Sequence, residues 1–352
     1  MNVHSSPLFM NRVTSKDRVT RCHNADVPLV DMPLPQLQQY QPSLNRPADF
    51  LERWQQTLRA ARAHDVLIKL ESVRAGLSRV DVTDVTFAGF DGHPVRAWWV
   101  RPAGLVQRLP VIVEYQGYGG GRGLPHERLL WASAGFAHLV VDSRGQGSGW
   151  GSGGHTPDPV LEGEPAHPGF MTRGIMDFEN FYFRRLITDA VRAVDVARVL
   201  PGADPDNVTV LGASQGGGLA LAAAGLSSGL AGAVIDVPFL CDIRRGVEIS
   251  DSDPYQEVSR YLSVHRDHAD RVFRTLSYVD GVHLGAMATA PAIFSVGLQD
   301  TVCPPSTVFA AFNAYGGPAS IEVYPFNGHE GGQAHQSRKV LAWMEKVTSS
   351  AR

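Results

Sequence analysis

The run Val208–Leu226, "VTVLGASQGGGLALAAAGL", decides the fold. It opens as an apolar strand pattern and closes as a glycine-led helix pattern, and between them Gly212-Ala213-Ser214-Gln215-Gly216 matches G-x-S-x-G. A strand that turns at once into a helix is the setting of a nucleophile elbow, where a tight turn strains the serine backbone and projects its Oγ. The flanking glycines are needed because a Cβ there would collide with the strand or helix pressed against the turn. The helix N-terminus also directs free N–H groups and a positive dipole end at the serine. Taken alone, the pattern fits a close-packing turn equally well, so the decision rests on the rest of the chain.

Two later stretches supply company. "SVGLQD" ends a strand pattern at Asp300, and "VYPFNGHE" ends the last one at His329. Ser, then Asp, then His at strand C-termini is the chain order of an α/β-hydrolase triad. Asp300 could instead cap the following helix, and His329 could be an ordinary loop histidine. Asp236, at the end of "AVIDVP", is the rival acid; Asp300 is preferred because it follows the penultimate strand with Gly297 behind it to open the turn.

Outward from these residues, short apolar runs end in glycine-rich or acidic turns and alternate with helical patterns: "LPVIVEYQGYGGG", "AHLVVDSRGQGSG", "VTVLGASQGGG", "GAVIDVPFL", "APAIFSVGLQD" and "IEVYPFNGHEGG". Such βα alternation predicts a mostly parallel sheet flanked by helices, and together with the Ser, Asp, His order it makes an α/β-hydrolase fold the expectation. "VTDVTFAGFDGHPVRAWWVRP", with its Asp91-Gly92 turn, predicts a hairpin supplying antiparallel edge strands. An N-terminal helical arm over residues 32–62 has a helix from near Pro47, with Phe50, Trp54 and Leu58 at core-facing spacing. From about 240 to 287 no strand is expected; two or three helices inserted before the penultimate strand would cover the site. The organisation expected is an extension over residues 1–30, disordered, and a single α/β-hydrolase domain over 31–352.

Composition narrows the function. Hydrophobic residues make up 43% and charged residues 19%, with a formal net charge of −3, so there is no basic field to gather nucleic acid. No run approaches the roughly 18 apolar residues of a membrane span, and residues 1–30 hold no apolar signal core, which makes the cytoplasm the expected location. Cys22, Cys241 and Cys303 are far apart and form no C-x-x-C pair, so neither a disulfide framework nor a zinc site is expected. "GWGSGG" fits G-x-G-x-x-G, but "HTPDP" follows where a helix should begin. "HEGGQAH" places His335 six residues after His329, too far for two zinc ligands on one helical face. No metal or cofactor is expected.

The chain resembles the acetyl xylan esterase/cephalosporin C deacetylase group, family 7 of the carbohydrate esterases. "RGQ" at Arg144-Gly145-Gln146, "GASQGGG" around Ser214 and "HE" at His329-Glu330 carry the resemblance, with "GYGGGRG", "FYFRRLITDAVRAV", "DVPFLCDIRR", "VFRTLSYVDG" and "CPPSTVFAAFNAY" widening it from about Met32 to the C-terminal helix. It implies hydrolysis of acetyl esters on xylo-oligosaccharides and small alcohols, cephalosporin C included, by a homohexamer with sites facing an internal cavity. Ser214 would attack the acetyl carbonyl, His329 take its proton, and Asp300 hold the imidazole tautomer. The oxyanion would be held by the backbone N–H groups of Gln215 and Tyr118. Arg144 and Gln146 would fix loops through hydrogen bonds, and Val302 and Cys303 would lie near the acyl pocket. The alternatives are a broader short-chain carboxylesterase and a non-catalytic hydrolase-like interaction protein.

Overall fold

The computed structural model describes residues 30–160 and 169–349, so the extension expected at the N-terminus falls, but for Val30, outside the described residues. The strands are β1 (Leu67–Val73), β2 (Val80–Ala88), β3 (Pro94–Pro102), β4 (Leu109–Tyr115), β5 (Ala137–Val141), β6 (Ala203–Ala213), β7 (Gly232–Asp236), β8 (Ala292–Gly297) and β9 (Ala319–Tyr324). The helices are α1 (Leu34–Leu37), α2 (Phe50–Arg62), α3 (Leu130–Ser133), α4 (Tyr182–Ala197), α5 (Gln215–Leu226), α6 (Ile243–Ile249), α7 (Tyr255–Val264), α8 (Ala269–Ser277), α9 (Gly281–Gly285), α10 (Pro305–Ala314) and α11 (Gln333–Ser349).

All nine strands form one sheet in the order β1-β2-β3-β5-β4-β6-β7-β8-β9. From β5 to β9 every pairing is parallel, whereas β1, β2 and β3 join antiparallel at one side. Period-2 alternation sorts the central strands onto two cores. Val111 and Val113 pack with α4 and α5 on one face, while Ile112, Val234 and Ile293 meet Trp131, Val340 and Met344 from α3 and α11 on the other. Burial on both faces explains why these strands read as continuous apolar runs.

The hairpin forms as expected around Asp91, but a further strand precedes it. Strand β1 pairs with β2 over Leu67–Val73, and five of its seven residues are exposed. With no buried face, it shows no hydrophobic alternation to read. The 240–287 segment holds four helices, α6 to α9, and a 3₁₀ turn at Arg266–His268 where two or three helices were expected. Helix α2 buries Phe50, Trp54 and Leu58, and the Trp54 Nε1 donates to the Tyr278 carbonyl at 2.8 Å, tying the arm to that segment. No helix among the described residues is long and apolar enough to cross a membrane.

Connectivity sets the position of the site. From β4 the chain moves outward to β5, then returns across β4 to β6. The loops after β4 and β6 therefore part in opposite directions and leave a crevice at their C-terminal ends.

Candidate active site

Ser214 stands between β6 and α5 with φ of 57° and ψ of −122°. For a non-glycine residue that geometry costs about 1–3 kcal/mol and persists only where the surroundings enforce it. Here they do. A Cβ on Gly212 would lie 2.2 Å from the Gly216 carbonyl carbon, and one on Gly216 would lie 2.3 Å from the Tyr115 carbonyl oxygen. The glycines thus let strand, turn and helix touch backbone to backbone, as the elbow pattern demands.

The three residues expected from strand ends come together around the serine. His329 Nε2 lies 2.9 Å from Ser214 Oγ, and His329 Nδ1 lies 2.8 Å from Asp300 Oδ2. Asp300 is buried, and its other oxygen accepts the N–H groups of Val302 and Cys303, both at 2.8 Å. A carboxylate so fixed can hold the imidazole in one orientation. Gly297 has a different task from opening the turn before Asp300. A Cβ there would meet the Gly328 carbonyl oxygen at 2.3 Å, so its absence lets the histidine loop press on the end of β8. Glu330 completes that loop, accepting from Gly328 N–H at 3.1 Å and Asn327 Nδ2 at 2.9 Å.

Asp236 does not reach the histidine through any of its hydrogen bonds. Its Oδ1 accepts from Ser295 Oγ at 2.8 Å and Gln336 Nε2 at 2.9 Å. Burial raises its pKa to about 6 from an ordinary 3.8. Between those two values the folded protein retains a proton that the unfolded chain has released. The stability this contributes is complete below the unfolded value and is lost as pH rises through about 6. Asp236→Asn, which keeps the accepting oxygen, should therefore gain stability relative to the parent between about pH 5 and pH 8. Urea unfolding at both pH values checks this; a difference that does not change with pH would refute it.

The loops beside the serine are held by the residues assigned to that work. Gln146 accepts from Gly119 N–H at 2.7 Å and donates to Gln215 Oε1 at 2.9 Å and to Tyr182 Oη at 2.8 Å, so one buried amide ties the loop after β4 to the start of α5. Arg144 is fully buried, its Nε and Nη2 on the two oxygens of Asp189 at 2.5 and 2.7 Å. Tyr182 Oη donates to the Arg144 carbonyl at 2.6 Å and so joins the two devices. Gln215 opens α5, so its N–H has no acceptor within the helix.

Tyr118 lines the same cavity, but its hydroxyl is committed elsewhere. It donates to Glu257 Oε1 at 2.7 Å and accepts the Phe170 N–H at 2.6 Å, and burial and the Glu257 charge push its pKa well up. Its backbone N–H has no acceptor among the described residues. Trp150 escaped the sequence reading: its Nε1 donates to the Tyr118 carbonyl at 2.7 Å, and its ring covers Gly117 and Gly120. It lies inside "GWGSGG", where a Cβ on Gly149 would lie 3.0 Å from the Gly119 carbonyl oxygen and one on Gly154 2.8 Å from the Gln146 carbonyl oxygen. The Gly147 and Gly149 N–H groups both donate to the Gly119 carbonyl, at 3.2 and 2.9 Å.

The cavity over Ser214 has a volume of about 490 Å³. Val302 and Val237 give it apolar walls, and Asp253 and Pro254 from between α6 and α7 close one side, as expected of the inserted helices. Cys303 is buried, its thiol pushed well up in pKa by burial and the Asp300 charge, with Ser214 in hydrogen-bond reach lowering it slightly. A neutral buried thiol is an apolar filler rather than a rival nucleophile.

The chain matches the acetyl xylan esterase family over residues 27–347. An acetyl xylan esterase from Paenibacillus sp. R4 superposes with a TM-score of 0.85 at 39% identity, covering 90% of this chain and 99% of that one. Acetyl xylan esterase 1 from Thermoanaerobacterium sp. JW/SL YS485 gives 0.83 at 31% identity with the same coverage. The acetyl esterase Axe7A of Xylanibacter ruminicola is 32% identical over 161 residues, 46% of this chain, and the match spans 36% of that relative's length. By a family match along nearly its whole described length and by its mostly parallel sheet, the chain belongs to the acetyl xylan esterase family, carboxylic ester hydrolases of the α/β-hydrolase fold.

Proposed function

We propose that this protein removes acetyl groups from acetylated xylo-oligosaccharides and from small acetyl esters, cephalosporin C among them, through an acetyl-enzyme intermediate. The observation that carries this reading is the series Ser214–His329–Asp300, with heavy-atom separations of 2.9 and 2.8 Å, in a member of this family. Ser214 Oγ forms a bond to the acetyl carbonyl carbon as His329 Nε2 takes the hydroxyl proton. Asp300 stabilises the imidazolium so formed. The oxyanion lies between the N–H groups of Gln215 and Tyr118, whose segments Gln146 fastens together. Collapse breaks the bond to the alcohol oxygen, which leaves with the proton from His329. Water, deprotonated by His329, then attacks the acetyl-serine, and acetate is released.

Two features favour acetyl over longer acyl groups: Val302 and the buried Cys303 beside Ser214, and the wall supplied by Asp253 and Pro254. Hydrolysis of 4-nitrophenyl esters from acetate to octanoate tests both the chemistry and the acyl limit. A burst of nitrophenol from the acetate, abolished by a serine-directed organophosphate, is the expected result, with octanoate turned over more slowly. Turnover that survives the organophosphate would defeat the serine mechanism. Faster cleavage of octanoate would instead indicate the broader carboxylesterase.

A further inference from the structure

From Ser214 the cavity runs along the end of β4 to Gln116, Glu114 and Arg128, none of which takes part in the ester chemistry above. Gln116 is only 2% exposed yet lines this cavity. Chemistry orients its amide. A guanidinium has donors alone, and Arg128 Nη2 lies 3.0 Å from Gln116 Oε1, so the oxygen faces Arg128 and the NH₂ group faces away. That Nε2 has no acceptor among the described residues. Arg128 is fixed in turn, its Nη1 3.1 Å from Glu114 Oε1, while the other Glu114 oxygen lies 2.9 Å from Nε2 of the buried His138.

An amide donor held out of water without an acceptor is costly unless something arrives to accept. We propose that Gln116 is a specificity residue for the alcohol half of the ester, its Nε2, unpartnered in the cavity wall, donating to an oxygen of a neutral sugar, and that Arg128 is the positioning residue that, by occupying Oε1, leaves that donor free. The carboxylates of Glu114 and Asp236 border the same wall. A polyol, which both donates and accepts, suits that mixture. The proposal rests on the serine-esterase reading, and its test separates the two.

The measurement compares kcat/KM for acetylated xylobiose with kcat/KM for 4-nitrophenyl acetate, whose leaving group offers no hydroxyl. In Gln116→Met, acetylated xylobiose should lose about tenfold, mainly through KM, while nitrophenyl acetate stays within about twofold. Arg128→Met should lower the same ratio, Arg128→Lys should restore part of it, and Arg128→Met should add nothing in the Gln116→Met background. An unchanged ratio in both single variants, or an equal fall for both substrates, would overturn the proposal. Should Gln116→Met fail to fold, Arg128→Met decides by the same ratio. Hydrolysis that persists in Ser214→Ala would instead overturn the serine reading.

Discussion

Ser214→Ala and His329→Ala are each expected to lower kcat for acetyl esters by several orders of magnitude, with about 10⁶-fold as the outer value for a serine hydrolase. The two losses should be similar and should not add, because oxygen and imidazole act as one unit joined at 2.9 Å. Asp300→Asn should cost about 10⁴-fold, since its amide donor favours the imidazole tautomer that cannot accept the serine proton. Circular dichroism establishes that the variants are folded, and steady-state nitrophenyl acetate hydrolysis reads the effect. Asp236→Asn should stay near the parent, because the accepting oxygen that holds Ser295 and Gln336 survives. A folded but inactive Asp236→Asn beside an active Asp300→Asn would reassign the acid.

The largest effect on stability is expected at Arg144. Its two bonds to Asp189 are out of contact with water, and the same carboxylate accepts the Phe90 N–H at 2.8 Å. Arg144→Met leaves that carboxylate buried without its counter-charge, which should cost about 3–5 kcal/mol. Urea unfolding measures it. Asp189→Asn in the Arg144→Met background should recover part of the loss, because neutralising the acid removes the stranded charge while keeping an acceptor for Phe90. Arg144→Lys should rescue little, since one ammonium cannot reproduce the two-pronged contact. A loss below about 1 kcal/mol in Arg144→Met would show that the pair contributes no more than an exposed one.

Residues whose environment leaves a periodic trace were readable in the chain. Ile112, Val234 and Ile293 alternate with neighbours buried on the opposite face, so their strands show as apolar runs, and each run delivers its terminal residue to one edge of the sheet. Strand order then makes Ser214, Asp300 and His329 candidates before any geometry is known. Strand β1 leaves no such trace because it is exposed on both faces. Gln116 and Trp150 were illegible for another reason: what they do depends on partners distant in sequence, Arg128 for one and the Tyr118 carbonyl for the other. Gly297 showed as a glycine, but the backbone it admits comes from a loop some thirty residues later.

Among the described residues, the antiparallel side of the sheet supplies no lining residue to the cavity over Ser214, and the lining comes from β4 onward. The link between β3 and β4, residues 103–108, is exposed throughout, with Val106 97% exposed, and it enters β4 at the end opposite Gln116. Exposed tips of this kind tolerate inserted chain best. An affinity tag, fluorescent reporter or surface anchor spliced there would stand across the full length of the sheet from the reacting ester. The enzyme can therefore be immobilised through this link with its mouth turned toward the solution.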